Sequence, residues 1–192
     1  MAKIFIYIFS LLAATCIFPD SISQKELKIL KQNCIDTYKQ KKYPESIPLL
    51  EKYLSFRDEV QFKIYLAKSI LFRKDLPEPK EEDEIFSREE KIHTIIENYK
   101  KAEKVFSEVV PYLERVTPKD KNISSLYFLW ALSNQFSENK EKAISLYKKA
   151  ALLNPEFRDA TNYNIAALYE DLGQIKDSQV YFQKSIHSKE SN

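Results

Sequence analysis

Small and large side chains recur along this chain at a spacing of four and then three. Ala143, Tyr147 and Ala150 form one such set, and Ser178, Phe182 and Ser185 repeat it 35 residues later, with Asn154-Pro155 between them. At 3.6 residues per turn, positions i, i+4 and i+7 share one face of an α-helix. A small-large-small face lets a second helix approach closely while the aromatic ring fills the remaining space. Each set is preceded by a second cluster: Tyr127, Trp130 and Ala131 before the first, and Ile165, Ala166 and Tyr169 before the second. The pattern predicts two helical hairpins in tandem. Asp171-Leu172-Gly173 suits the turn of the later one, because glycine adopts the left-handed conformation that closes a helix.

The first half carries less regular copies. Asn33, Cys34 and Thr37 predict the inner face of a first helix, and Tyr43, Ser46, Leu50 and Tyr53 that of its partner, with Pro44 near the helix start and Pro48 bending it. Tyr53 stands where the other sets place a small residue, so the packing there must be looser or rearranged. Leu66, Ala67 and Ile70 lie on an amphipathic stretch from about 58 to 73, which opens a second hairpin. Its partner is displaced. An acidic, proline-broken segment intervenes, an insertion at 75–86 expected to stay unpacked, and the triplet resumes as Ala102, Phe106 and Val109. Ser87, with Glu90 three residues on, predicts the N-cap of a long helix through about Arg115 that bends between Ser107 and Pro111 and ends at Thr117-Pro118. Lys39, Lys41 and Lys42 are candidate contacts for the acidic insertion.

This organisation resembles the tetratricopeptide repeat, a helix-turn-helix unit of about 34 residues. The resemblance implies an all-α fold, a right-handed α-solenoid of about four helical hairpins over residues 24–190. It implies a non-catalytic scaffold that binds a protein or peptide along a groove lined by the first helix of each hairpin. The groove positions would be Lys31, Ile35 and Tyr38, then Ile64 and Lys68, then Phe128, Leu132 and Gln135, then Tyr163, Ala167 and Glu170. Some members of the family clamp a peptide carboxylate with lysine and asparagine. Lys31 occupies the lysine position, but Ile35 stands where the asparagine is expected, so the clamp is incomplete. Asn134 and Asn164 are further polar residues near the groove, equally readable as solvated helix positions.

Composition narrows the chemistry. A single glycine leaves no room for glycine-rich phosphate loops or for sheets joined by tight turns, while 12 Tyr and 12 Phe supply ample core. His93 and His187 lie at metal-ligand spacing neither from each other nor from Cys34, and no serine sits in a nucleophile elbow. No catalytic residue, metal or cofactor is expected. With 30 basic and 28 acidic residues, the chain has no electrostatic case for nucleic acid.

Residues 1–23 read as an export segment: Lys3, an apolar run from Ile4 to Phe18, and a polar end at Ser21-Ile22-Ser23 that gives a mature start at Gln24. The run is shorter than the roughly 20 residues of a membrane span, although an uncleaved anchor is one alternative. Leu12-Ala13-Ala14-Thr15-Cys16 is similar to a lipobox, which makes lipidation of Cys16 another. The reading is an exported bacterial adaptor, periplasmic or envelope-associated. Its alternatives are a membrane-tethered lipoprotein serving an envelope assembly or secretion complex, and a self-assembling repeat module. In the last, a homo-oligomer stacks through Val180, Tyr181 and Phe182 of the final helix.

Overall fold

The protein is described by a computed structural model over residues 22–187 apart from 119 and 121, without the side chain of His187. The described residues form eight α-helices and one 3-10 turn, with no strand: α1 Gln24–Lys39, α2 Tyr43–Leu54, α3 Val60–Phe72, α4 Ile85–Val116, α5 Asn122–Phe136, α6 Lys140–Leu153, the turn Pro155–Phe157, α7 Arg158–Asp171 and α8 Ile175–His187. Each helix packs chiefly on its sequence neighbours. Burial therefore accumulates along a stack of hairpins, as in a solenoid.

The export segment and Cys16 lie outside the described residues, except for Ile22 and Ser23. Ser23 is the N-cap of α1. Its hydroxyl accepts from the Glu26 N–H at 3.2 Å, and the Glu26 carboxylate accepts from the Ser23 N–H at 3.0 Å, a reciprocal box that satisfies two otherwise orphaned donors.

Three of the four hairpin turns share one geometry. Lys41, Glu138 and Gly173 all have positive φ, at 57°, 66° and 72°. In each, the next N–H reaches back five residues: Lys42 to Thr37, Asn139 to Asn134 and Gln174 to Tyr169, at 3.0, 2.9 and 2.8 Å. This is the Schellman closure, which returns partners to the last carbonyls of the first helix. Only the last of these turns carries the glycine that the conformation favours.

Between α3 and α4 the turn is replaced by residues 73–84. The sequence predicted an unpacked segment, but Leu76 and Pro77 are half-buried and charge pairs fasten both ends. Arg73 grips Asp75 through two bonds, while Asp83 caps the Lys80 N–H at 2.7 Å and receives Lys91 at 2.7 Å. Among the described residues, the insertion pairs with Arg73, Lys80 and Lys91, and not with Lys39, Lys41 or Lys42. The helix that follows starts at Ile85, so Ser87 lies inside it and does not cap it. Neither Pro48 nor Pro111 interrupts its helix.

The triplets of α4 and α6 lie in the core, whereas Phe182 of the α8 triplet is 48% exposed. Ala143, Tyr147, Ala150, Ala102 and Phe106 are fully buried, and Val109 almost so. At the first crossing, the bulky Tyr53 is accommodated by rearrangement: its ring lies 4.4 Å from Phe62 and its hydroxyl bonds Glu59. The inner face of α1 is made by Leu27, Leu30 and Cys34. Asn33, expected there, is exposed because it points to the side that in later repeats meets a preceding hairpin.

Candidate binding surface

The first-helix positions separate into two groups. In the first half the side chains are engaged with one another. Lys31 Nζ bonds both carboxylate oxygens of Glu59, at 3.0 and 2.9 Å, and lies over the rings of Tyr53 and Phe62. Its pKa is raised chiefly by Glu59. The lysine placed for a carboxylate clamp is thus already paired within the chain. Tyr38 stacks on Tyr65 with centroids 4.0 Å apart, and burial pushes its phenol up to about 12. Ile35 and Ile64 are half-buried against the core. Lys68 is half-buried without an ion pair among the described residues, and desolvation lowers its pKa. It is the uncommitted cation of this group.

In the second half the same positions open outward. Phe128 leans edge-on against Tyr147 at 5.2 Å and faces Phe157 at 5.4 Å. Leu132 is half-buried, and Gln135 accepts a hydrogen bond from the Tyr147 hydroxyl at 2.8 Å. Tyr163 is 59% exposed, and Ala167 and Glu170 are also exposed. Phe128, Ala160, Tyr163, Asn164, Phe182 and Ile186 border a depression of about 540 Å³, with Asp159 at its edge. A second, of about 390 Å³, is bordered by Tyr163, Ala167, Glu170, Ile175, Ser178 and Phe182. The two adjoin through Tyr163 and Phe182. The structure thus brings together Phe128 and Tyr163 in one depression, and Tyr163, Ala167 and Glu170 in the other. Asn164 reaches this surface, whereas Asn134 is fully buried and donates to the Trp130 carbonyl at 2.9 Å.

Ile175 and Ile186 were not among the expected binding residues, and Phe182 was expected only as a self-association contact of the final helix. The spacing of Phe182 marks it as a packing residue, and periodicity does not reveal whether a packing face is covered.

Cys34 is fully buried and its thiol is pushed up to about 11 by desolvation, which keeps it protonated and unreactive near neutral pH. No group of three His, Cys, Asp or Glu among the described residues is placed to hold a metal ion. No helix among them is long and apolar enough to cross a membrane.

A family model described as tetratricopeptide repeat matches residues 160–192, which contain most of α7 and all of α8. No curated protein matches the sequence. Solved structures with similar folds include MamA MSR-1, at 17% identity and a TM-score of 0.42, with 85% of this chain and 97% of that chain covered. Another is MamA from Desulfovibrio magneticus RS-1, at 13% identity and 0.41, covering 90% and 99%. These likenesses are distant, and the family match is confined to the last hairpin.

Proposed function

We propose that this tetratricopeptide-repeat chain is a non-catalytic adaptor of the bacterial cell envelope that holds a protein or peptide against its last two hairpins. The observation that carries the reading is the pair of adjoining depressions around Tyr163 and Phe182. Aromatic and aliphatic side chains stand in solvent there beside small residues, the composition in which binding energy concentrates when a partner excludes water.

The envelope assignment rests on residues 1–23. A cut after Ser23 removes the N-cap of α1, a loss of about 1 kcal/mol, which the hairpin contacts of α1 must absorb. Intact mass of protein from cells reads the processing directly: a Gln24 start supports the exported form, and an acylated Cys16 the membrane-tethered accessory.

Photocrosslinking in intact cells tests the adaptor reading. Probes at Phe128 and Tyr163 should join the same discrete protein, whereas a probe at exposed Ser145 on α6 should not. Absence of any adduct at these two positions, with the protein folded and exported, overturns it.

A further inference from the structure

We propose that the α7–α8 edge is a docking site for one amphipathic helix of a partner protein, seated as the first helix of a following hairpin would be. The inference rests on the adaptor reading and specifies where the partner binds and what it presents.

The argument comes from the internal interfaces. The first helix of each later hairpin turns one stripe, at spacing i, i+4 and i+7, toward the hairpin before it. In α3 the stripe is Phe62, Leu66 and Ser69; in α5 it is Leu126, Trp130 and Ser133; in α7 it is Thr161, Ile165 and Leu168, and all nine are buried. Two contacts fix its direction: Phe62 packs on Tyr53, and the Ser69 and Ser46 hydroxyls bond at 2.8 Å. The stripe is received by the second helix of the preceding hairpin, whose central large residue is Leu50 in α2, Phe106 in α4 and Tyr147 in α6. Each of these three is 0% exposed. The fourth member of that series is Phe182, and it is 48% exposed. Ile175 and Ile186 extend the uncovered face along α8. Thus α8 presents a receiving face of the same construction, and among the described residues no stripe covers it.

A second copy of this chain is a poor occupant. Aligned through Cys34 and Ala166, the stripe of α1 reads Ile29, Asn33 and Asp36, all exposed. Two polar residues stand where α7 has Ile165 and Leu168, so α1 closes its end of the stack instead of joining another. The occupant that fits carries small or aliphatic residues at i, i+4 and i+7, as α7 does. Exposed Glu170 borders one of the depressions, so a basic residue on the flank of the incoming helix complements the site.

A fluorescent peptide of residues 155–172, helix-stapled across the exposed positions 163 and 167, copies the stripe of α7 and serves as the probe. Titrated with the full chain, it should give saturable anisotropy. Phe182→Glu or Ile186→Glu should weaken binding at least about tenfold, and Tyr38→Ala should leave it unchanged. A peptide with Ile165→Asp and Leu168→Asp should not bind. Circular dichroism melting checks that the variants stay folded, which the partial exposure of both residues favours. No binding to the folded protein, or binding indifferent to both substitutions, overturns the proposal. So does sedimentation showing a concentration-dependent dimer broken by Phe182→Glu, which gives the face to a second copy. Crosslinking in cells without peptide binding removes the edge and keeps the adaptor; peptide binding without crosslinks does the reverse.

Discussion

Tyr147 and Phe182 occupy the same place in consecutive hairpins, 35 residues apart, yet one is a core residue and the other stands half in solvent. Their local sequences are alike, with a small residue four positions before and another three after. What separates them is α7, which lies over Tyr147 and has no counterpart over Phe182 among the described residues. In a stacked fold, burial belongs to the neighbour as much as to the residue, so the same motif supplies stability in one repeat and an uncovered apolar face in the next.

The sharpest way to break this comparison is to truncate both rings. Tyr147→Ala empties a fully enclosed site and severs the bond to Gln135, and should cost about 3–5 kcal/mol. Phe182→Ala should cost less than about 1 kcal/mol, because its lost surface was already half hydrated. Chemical denaturation of the two variants measures both values, and equal losses would show that the α8 face is covered. A gentler pair tests the small positions. Ala150→Leu overfills a fully buried site and should cost about 1–3 kcal/mol, whereas Ser185→Leu, at the border of an open depression, should be close to neutral.

The hairpins of the second half were legible because their interfaces obey one rule repeated at a fixed interval, and Ala131, Ala143, Ala150 and Ala166 are buried where that rule puts them. The first half obeys it loosely. Asn33 fits the repeat by position but faces outward, since among the described residues no hairpin lies before α1 to bury that side. Ser87 has the chemistry of a cap, yet helix geometry extends past it to Ile85, where Asp83 and Lys91 brace the start. The expected groove positions all lie on the first helices of their hairpins. Their availability was not legible, because Lys31 is committed to Glu59, a partner 28 residues away that no local pattern announces.

The turns offer a finer comparison of the same kind. Lys41, Glu138 and Gly173 share a backbone conformation and a hydrogen-bond pattern, but a Cβ at positive φ is strained in the first two. Lys41→Gly and Glu138→Gly should each stabilise the fold by about 0.5–1 kcal/mol, and Gly173→Ala should destabilise it by about 1 kcal/mol. No heavy atom lies within 4 Å of a Cβ built on Gly173, so that loss measures backbone strain alone. Thermal melts of the three variants check the signs. A stabilising Gly173→Ala would mean that the turn relaxes out of the left-handed region.

The smallest expected effect concerns how the first hairpin joins the second. There Tyr53 replaces the small residue that Ala150 supplies later, and its hydroxyl is satisfied by Glu59, which also holds Lys31; one carboxylate thus ties α1 and α2 to the start of α3. The Tyr53 hydroxyl, then Lys31, lower the Glu59 pKa below the usual glutamate range. A carboxylate whose pKa falls on folding adds stability above its unfolded pKa, and that stability is lost as pH drops through the folded one. Melting temperature should therefore decline on acidification below the ordinary glutamate range, and Glu59→Gln should decline less steeply there while starting lower at neutral pH. The gap between the two proteins should close in acid. Because both ends of the Lys31–Glu59 pair are partly solvated, salt should narrow the same gap at neutral pH. A gap insensitive to both acid and salt would assign the junction to ring packing between Tyr53 and Phe62, and would make the first crossing a bulkier version of the later ones.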